Sequence, residues 1–402
     1  MKYVVILADG MADYPCPSLG GLTPLAYART PNLDALAHAG LVGEVRTVPP
    51  GFPPGSDVAN LAVLGYDPRR YYTGRAPLEA ASQGIELSPA DLALRCNLVT
   101  LSPAEEYADR VMLDYSAGEI PTERAEELIA FLQERLGDFR VRFYPGVSYR
   151  HLMIWREGPD PDKLKLTPPH DITGQRIGPY LPQGEGAELL RELMVRGAAL
   201  LASLPGENAA NAIWFWGAGR RPQLPLFRER FGLTGAVVAA VDLIKGIGRL
   251  CGMRVPLVPG ATGNTRTDYR AKAQAALKEL QEGADFVFVH IEAPDEAGHQ
   301  GDLEEKIRAI ESIDRLVVGE ILKGLWESFP SWRVLVLPDH PTPVVRRTHT
   351  SDPVPFLAAG DPPLPGSGEG RPFTEEAAAS SSFKLEEGHR LLPWFLGKET
   401  EN

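Results

Sequence analysis

Short apolar runs that alternate with amphipathic helical patterns limit the fold of this chain more than any other feature. Strands covered on both faces, as in parallel sheets, are continuously hydrophobic. The runs that fit such strands are Tyr3–Ala8, Ala212–Trp216, Ala236–Val241, Asp285–Ile291 and Arg333–Leu337. The helical patterns around them are Asn32–Ala39, Ser56–Leu64, Leu243–Cys251, Asp268–Glu282 and Leu303–Trp326. This alternation predicts an α/β core with a mostly parallel sheet flanked by helices.

The middle of the chain has a different pattern. It contains a helical pattern, two short strand patterns, a proline-rich stretch and a second helical pattern: Thr122–Leu136, Phe139–Tyr144, His151–Trp155, Pro159–Pro182 and Gly186–Leu204. A domain usually takes about 100–200 residues, so two domains are expected in a chain of 402. We therefore predict a smaller α+β domain at residues 88–205, inserted into a core of residues 1–87 and 206–402. Gly360–Ser382, rich in Gly, Pro, Ser and Glu, is predicted to be a loop.

Composition and net charge argue against several classes of partner. The net charge of −12 disfavours nucleic acid and anionic membranes, because both bind basic surfaces. No apolar stretch approaches the roughly 20 residues that span a membrane, and the first apolar run is too short for a signal peptide. Cys16, Cys96 and Cys251 form no CxxC pair, which favours a reducing compartment. We expect a cytoplasmic protein that acts on a small molecule. The oligomeric state stays open.

Acidic residues and histidines follow three of the predicted core strands. In open α/β sheets, ligands bind beyond the carboxyl ends of the strands. The residues at these positions are Asp9, Asp295, His299, Asp339, His340 and His349. A single aspartate after a strand is more often a turn residue. Three of the chain's eight histidines fall beside these aspartates, however, and this joint pattern indicates a site.

The chemistry of these side chains indicates metal binding. Carboxylate oxygen and imidazole nitrogen together suit Mn²⁺, Zn²⁺ or Fe²⁺, and Mg²⁺ fits where oxygen ligands dominate. Six such side chains exceed the needs of one tetrahedral site. Two metal ions about 3.5–4 Å apart, as in phosphatases, would use them all.

Ser56 begins a helical pattern and allows two interpretations. Serine is a common helix N-cap, which is the ordinary interpretation. A helix N-terminus also offers free N–H groups and a positive dipole end, which favour an alkoxide and a bound phosphate. A neighbouring metal ion would make this hydroxyl nucleophilic. Both interpretations remain open for Ser56. His290, inside a strand pattern, is predicted to be a core histidine.

Seven stretches carry a family resemblance over nearly the whole chain. They are VVILADGMADYP (Val4–Pro15), PGSDVANLAVLGYDP (Pro54–Pro68), YYTGRAPLEAAS (Tyr71–Ser82), AVDLIKGIGRLCGM (Ala240–Met253), PGATGNTRTDY (Pro259–Tyr269), HIEAPDEAGHQGD (His290–Asp302) and LPDHPTPVVRRTHTSDPVPF (Leu337–Phe356). By these stretches the chain resembles the cofactor-independent phosphoglycerate mutases, in particular the compact archaeal-type branch within the alkaline phosphatase superfamily. The resemblance implies an alkaline-phosphatase-like core with an inserted substrate-binding or cap domain.

The resemblance also implies a ligand set for each of two divalent metal ions. Mn²⁺ is the expected metal, and Mg²⁺, Co²⁺ or Zn²⁺ fit the same ligands. One set is Asp295, His299 and His349, and the other is Asp9, Ser56, Asp339 and His340. Ser56 would also accept the phosphoryl group of 3-phosphoglycerate and return it to the other hydroxyl of glycerate, which makes the enzyme an isomerase.

Substrate contacts are predicted with less support from the residues. Lys245 matches a lysine that the family uses near the phosphate. The candidates for binding carboxylate and phosphate are Arg150, Arg220 and Arg221, with surface salt bridges as the alternative for the last two. Asp171 is a candidate base, and His151 is a further catalytic candidate.

Two other functions stay open. A phosphatase or phosphonate-processing enzyme would use the same two-metal core. A non-catalytic metal-binding protein is disfavoured, because all seven expected metal positions carry suitable side chains.

Overall fold

The computed structural model of the protein describes residues 1–204 and 209–398. The chain forms two compact units. The first consists of Met1–Tyr72 together with the described residues from Gln223 onward, and the second is Thr73–Pro222. Within the described ranges, none of the helices has the length and hydrophobicity that crossing a membrane requires.

The strands of the described residues belong to three sheets. In chain order they are β1 Lys2–Ala8, β2 Leu41–Val45, β3 Leu92–Leu101, β4 Met112–Asp114, β5 Val141–Tyr144, β6 Arg150–Trp155, β7 Leu164–Lys165, β8 Gln183–Gly184, β9 Ala212–Gly219, β10 Gly235–Val238, β11 Phe286–Ile291, β12 Trp332–Leu337, β13 Val354–Asp361 and β14 Lys384–Leu385.

The α-helices range from one turn to about four turns. They are α1 Pro24–Tyr27, α2 Pro31–Ala39, α3 Ser56–Val63, α4 Pro68–Tyr71, α5 Ala76–Ser82, α6 Thr122–Leu136, α7 Ala187–Ala202, α8 Phe227–Phe231, α9 Asp242–Leu250, α10 Tyr269–Gln281, α11 Ala293–Gln300, α12 Leu303–Ser312, α13 Gly319–Ser328, α14 Glu375–Ala379 and α15 Leu391–Leu396. Short 3-10 segments occupy Pro17–Leu19, Tyr107–Asp109, Pro161–Lys163, Pro169–Ile172, Gly178–Tyr180 and Gly388–Arg390.

The first unit is built on a seven-stranded sheet in the order β10-β11-β1-β12-β13-β2-β14. Strands β10, β11, β1 and β12 are parallel, whereas β13 is antiparallel to both of its neighbours. Ala8 at the end of β1 pairs with Ile291, and Leu7 pairs with Leu337. The carboxyl ends of β11, β1 and β12 therefore lie side by side. The predicted α/β core with a mostly parallel sheet is confirmed.

The long helical pattern Leu303–Trp326 forms two α-helices separated by a π-helical segment, Ile313–Val318. Asp314 in this segment accepts hydrogen bonds from the backbone N–H groups of Asn32 (3.3 Å) and Leu33 (2.8 Å). These are two of the first N–H groups of α2, which have no partner within their own helix. The side chain of Asp314 thus caps α2 from a distant part of the chain, which the hydrophobic pattern could not indicate.

The second unit contains an antiparallel sheet in which β4-β3-β6-β5 are neighbours in this order and β9 also pairs with β3. The assignment of Ala212–Trp216 to the core sheet is wrong, because β9 pairs with β3 from Ala93↔Gly219 to Val99↔Ala212. An apolar run indicates a buried strand but not the sheet to which it belongs. Because β9 and α5 belong to the second unit, this unit is longer at both ends than the predicted range 88–205.

The predicted loop Gly360–Ser382 is partly ordered secondary structure. Strand β13 continues to Asp361, and α14 lies within the range. The hydroxyl group of Thr374 accepts a hydrogen bond from the backbone N–H of Ala377 at 3.1 Å and so caps α14. The high Gly and Pro content of this stretch indicated a loop, although it contains a one-turn helix with a common Thr N-cap.

Candidate metal centre and active site

The three adjacent strand ends of the first unit carry the acidic and histidine residues predicted as metal ligands. Asp9 directly follows β1, and Asp339 lies two residues after the end of β12. Helix α11 starts two residues after β11 and carries Asp295 and His299 on one face, four residues apart. The structure gathers all seven predicted residues into two neighbouring clusters, which we call the open cluster and the buried cluster.

The open cluster consists of Asp295, His299 and His349. The Nε2 atoms of the two histidines are 2.9 Å apart. His299 Nε2 is 3.3 Å from Asp295 Oδ2, and His349 Nε2 is 3.4 Å from Asp295 Oδ1. Ligands at about 2.1 Å from a metal ion lie about 3.4 Å apart in tetrahedral geometry and about 3.0 Å apart in octahedral geometry. These three side chains therefore fit a divalent cation.

The buried cluster consists of Asp9, Asp339 and His340, all without solvent exposure, together with Ser56. His340 Nε2 is 3.4 Å from Asp339 Oδ2 and 3.7 Å from Asp9 Oδ1. Ser56 Oγ lies 3.1 Å from His340 Nε2 and 3.4 Å from Asp9 Oδ2. Oxygen and nitrogen donors at these separations also suit a divalent cation, and the serine hydroxyl lies at its edge.

Ser56 is the first residue of α3, and the N-cap position belongs to Gly55. Gly55 has no side chain to cap the helix, and the carboxylate of Asp57 accepts a hydrogen bond from the backbone N–H of Val58 at 3.0 Å. The ordinary interpretation of Ser56 as an N-cap is therefore wrong. Its hydroxyl group instead faces Asp9 and His340, while the positive end of the helix dipole lies at its backbone.

A network of hydrogen bonds orients Asp339. The side-chain amide of Asn60 donates to Asp339 Oδ2 at 3.0 Å and to the backbone oxygen of Ser56 at 2.9 Å. The backbone N–H groups of Gly10 and His340 donate to Asp339 Oδ1 at 3.2 and 2.9 Å. Asn60 was not predicted, although its position one helical turn after Ser56 places both residues on the same face of α3.

The electrostatics of the clusters reflect the crowding of like charges. Burial raises the pKa of Asp9 well above its usual value, and the charges of Asp339, Asp295 and Glu292 raise it further. Burial opposes ionisation of Asp295 as well, but its hydrogen bonds to His299 and His349 lower its pKa well below the usual value. Buried carboxylates this close to one another repel unless a proton or a cation neutralises them. A pair of divalent cations would do so.

A third group, Asp9, His290 and Glu292, adjoins the buried cluster. His290 is buried, as predicted for a core histidine, and its Nε2 also lies 3.0 Å from Asp9 Oδ2. Burial lowers the pKa of His290 to about 3, so the ring is neutral. The buried Lys272 donates from Nζ to the backbone oxygens of His290 (3.2 Å) and Thr262 (3.4 Å). Burial lowers the pKa of Lys272 to about 8, and the charge of Glu292 opposes part of this shift.

Among the predicted substrate contacts, Lys245 alone belongs to the first unit. It lies on α9, where its Nζ is 3.3 Å from Asp242 Oδ1. In the second unit, Arg150 is exposed and its guanidinium lies 4.6 Å from the ring centre of Tyr149. His151 is buried, its Nδ1 accepts from the backbone N–H of Gly146 at 3.0 Å, and burial lowers its pKa to about 3. This enclosure argues against a catalytic role for His151.

Asp171 is exposed in the second unit and lies 3.5 Å from the ring of His170, which packs edge-on against Trp216. Arg220 donates to the backbone oxygens of Gly158 and Pro159. These bonds connect parts of its own unit, so they favour a structural role for Arg220. Arg221 is exposed and lines a groove of 880 Å³ in the same unit.

Comparison with known proteins identifies a family that this chain resembles over most of its length. The family profile described as 2,3-bisphosphoglycerate-independent phosphoglycerate mutase matches residues 37–206. A protein of Geobacter sulfurreducens named "probable 2,3-bisphosphoglycerate-independent phosphoglycerate mutase" is 51% identical over 99% of this chain and 100% of its own length.

Two solved structures cover nearly the whole chain. A Pyrococcus horikoshii protein is 31% identical, with a TM-score of 0.81, over 100% of this chain and 98% of its own. A cofactor-independent phosphoglycerate mutase from Thermoplasma acidophilum has a TM-score of 0.66 at 27% identity, over 99% of both chains. These similarities agree with the expected α/β fold, in which helices flank a mostly parallel sheet. The chain therefore belongs to the family of 2,3-bisphosphoglycerate-independent phosphoglycerate mutases.

Proposed function

We propose that this enzyme interconverts 3-phosphoglycerate and 2-phosphoglycerate through a phosphoserine at Ser56. One observation carries the proposal: the Ser56 hydroxyl group lies at the start of α3, within 3.4 Å of Asp9 and 3.1 Å of His340. A nucleophile held at a helix N-terminus and surrounded by metal-ligating side chains is suited to phosphoryl transfer.

The reaction needs two transfers of the same phosphoryl group. In the first, Ser56 Oγ attacks phosphorus, the bond to the O3 atom of the substrate breaks, and the hydroxyl proton of Ser56 ends on the O3 atom of glycerate. In the second, the O2 hydroxyl of glycerate attacks phosphorus, the bond between phosphorus and Ser56 Oγ breaks, and the hydroxyl proton returns to Ser56 Oγ. Phosphoryl transfer depends mainly on positioning and charge stabilisation, so fixed groups around Ser56 are the main requirement.

The metal centre is also part of this proposal. Asp295, His299 and His349 would hold one divalent cation, and the buried cluster with Ser56 would hold the other. Mn²⁺ is the first choice because the donors mix carboxylate oxygen and imidazole nitrogen, and Mg²⁺, Co²⁺ or Zn²⁺ fit the same donors. Bound there, the cations would supply charge neutralisation and lower the pKa of the Ser56 hydroxyl.

We assign substrate binding in the first unit to Lys245, and we propose the second unit as the substrate-binding or cap domain. Arg150 and Asp171 are exposed in that unit, so a small molecule can reach both side chains. A cap that excludes water protects the phosphoserine from hydrolysis, which separates a mutase from a phosphatase. We further propose a cytoplasmic location, which the three free and buried cysteines support.

The proposal can be tested by ³¹P NMR on 3-phosphoglycerate with the full chain and Mn²⁺. We expect 2-phosphoglycerate to appear until both isomers are at equilibrium, with little inorganic phosphate. A chelated sample should be inactive and should recover when Mn²⁺ is added back. Release of inorganic phosphate without 2-phosphoglycerate would favour the alternative, a phosphatase or phosphonate-processing enzyme. Activity that survives exhaustive chelation would contradict the two-metal centre.

A further inference from the structure

Thr342 lies between the two clusters and contacts both of them. It is fully buried, two residues after His340. Its Oγ1 is hydrogen-bonded to Asp295 Oδ1 of the open cluster and lies 3.3 Å from His340 Nδ1 of the buried cluster. A single hydroxyl group therefore touches one ligand of each proposed metal ion.

The direction of each hydrogen bond follows from the chemistry of the groups. A carboxylate that binds a metal ion is ionised and can only accept, so the hydroxyl group of Thr342 must donate to Asp295. A hydroxyl group has one proton, so the same oxygen can only accept from His340. His340 must then carry its proton on Nδ1. Its Nε2 is left with a free lone pair, on the side where Asp9 and Ser56 lie.

The backbone around Thr342 leaves room for this contact. Gly10 has a φ of +63°, and a Cβ atom there would lie 2.6 Å from Thr342 Oγ1. A Cβ atom on Gly298 would lie 2.4 Å from the backbone oxygen of Thr342. Side chains at either glycine would displace Thr342. Gly10 follows Asp9, and Gly298 precedes His299. The two segments that carry these proposed metal ligands therefore pack directly against Thr342.

The backbone of Thr342 is also held by a hydrogen bond from a lysine of α12. Lys306, fully buried on α12, donates from Nζ to the backbone oxygen of Thr342 at 2.8 Å and to Asp13 Oδ2 at 2.7 Å. The backbone that carries the Thr342 hydroxyl group is therefore held by a group other than the two side chains that this hydroxyl contacts.

We propose that Thr342 is a positioning residue whose single hydroxyl group holds Asp295 and His340 in their metal-binding forms and thereby couples the two clusters. This inference rests on the proposed metal centre. Ligands are commonly oriented by hydrogen bonds from neighbouring groups, and loss of such a partner typically weakens metal binding about 10–100-fold. Here one group would serve two metal ions, so its loss should weaken both.

The tautomer of His340 can be measured without any metal. In the metal-free wild-type chain, long-range ¹H–¹⁵N correlation spectra, with His340 assigned from a His340→Gln variant, should show the proton on Nδ1. Thr342→Ser keeps the hydroxyl group and should keep this tautomer. Thr342→Val removes the hydroxyl group at nearly constant shape and should lose it. A wild-type His340 with its proton on Nε2 would overturn the inference.

Calorimetric titration with MnCl₂ tests the coupling in the same variants. Thr342→Val should weaken binding at both clusters by about 10–100-fold, whereas Thr342→Ser should stay close to wild type. Thr348→Val, at an exposed threonine of the same loop, is the matched control and should bind like wild type. Unchanged binding in Thr342→Val, or a loss at one cluster only, would contradict the coupling. A wild-type chain that binds no Mn²⁺ would instead contradict the metal centre itself, and the tautomer would still be decided by NMR.

Discussion

The two clusters differ most in their exposure to solvent. In the buried cluster, the side chains of Asp9, Asp339 and His340 are 0% exposed. In the open cluster, the side chain of His299 is 38% exposed and that of His349 is 23% exposed. Similar ligands in neighbouring positions therefore experience very different dielectric surroundings, and their protons are distributed differently.

Each cluster holds its excess charge in a different way when no metal is bound. In the buried cluster, the pKa of Asp9 is raised by burial and by neighbouring carboxylates, so a carboxyl proton reduces the repulsion. In the open cluster, the hydrogen bond to Asp295 raises the pKa of His299 to about 9, so an imidazolium balances the carboxylate. A metal ion must displace a carboxyl proton at one cluster and an imidazolium proton at the other.

The largest effect is expected at Ser56, which lies beside the buried cluster. Ser56→Ala should reduce mutase activity by about 10⁴–10⁶-fold, because the phosphoryl acceptor is lost. Unfolding stability should change little, since this side chain makes no capping bond. Mn²⁺ binding at the open cluster should be retained. The measurement is ³¹P NMR of product formation, with Ser18→Ala, an exposed serine of the same unit, as the control. Turnover by Ser56→Ala within tenfold of the control would exclude Ser56 as the acceptor.

The next largest effect is expected at Lys306, which connects the segment of Asp13 after β1 to the segment of Thr342 after β12. Lys306 is fully buried and donates to Asp13 Oδ2 at 2.7 Å. Lys306→Met leaves the Asp13 carboxylate buried without its cation, which should cost about 3–5 kcal/mol of unfolding free energy. Denaturant unfolding of the metal-free protein measures this. Lys323→Met, at an exposed position of α13, should stay within about 0.5 kcal/mol of wild type. Equal stability of the two variants would show that the ion pair does not hold these loops.

The residues of the two clusters could be predicted from the sequence because acidic side chains and histidines occur together directly after buried strands. Asp9 and the Asp339-His340 pair needed only the strand pattern and the rule that parallel strands end at one edge. Their hydrogen-bonding partners, such as Asn60 and Thr342, could not be predicted in the same way. Those side chains are common types, and their roles depend on segments far apart in sequence that meet only in the folded chain.

The same limit explains the errors in the fold. An apolar run such as Ala212–Trp216 records burial, and burial is equal in a core sheet and in the sheet of a second domain. The hydrophobic pattern could not predict the π-helical segment around Asp314, because over a single turn its period differs little from that of an α-helix.

Asn60 allows a test that affects the buried cluster alone. Asn60→Ala removes the donor to Asp339 Oδ2 and the bond to the backbone of Ser56. Mn²⁺ affinity at the buried cluster should fall by about 10–100-fold, while affinity at the open cluster should not change. Calorimetric titration with MnCl₂ separates the two sites if their affinities differ. An equal loss at both clusters would mean that Asn60 acts on the whole fold and does not orient Asp339 specifically.

The smallest effect is expected at the exposed end of the open cluster. Because the folded-state pKa of His299 is raised from 6.5 to about 9, its ion pair with Asp295 stabilises the metal-free protein fully below pH 6.5. As pH rises from 6.5 to 9, the unfolded chain releases this proton before the folded chain does, so that stabilisation is lost. Solvent screening of a 38% exposed side chain keeps it below about 1 kcal/mol.

Thermal unfolding of the metal-free protein at pH 6, 7.5 and 9 measures this dependence. His299→Gln should show a smaller decline with pH than wild type, and His38→Gln, at an exposed histidine of α2, should decline as wild type does. Because the same proton competes with the metal ion, Mn²⁺ affinity at the open cluster should also rise with pH up to about 9. If His299→Gln and His38→Gln decline equally, the imidazolium does not neutralise the open cluster. The difference between the two clusters would then rest on the raised pKa of Asp9 alone.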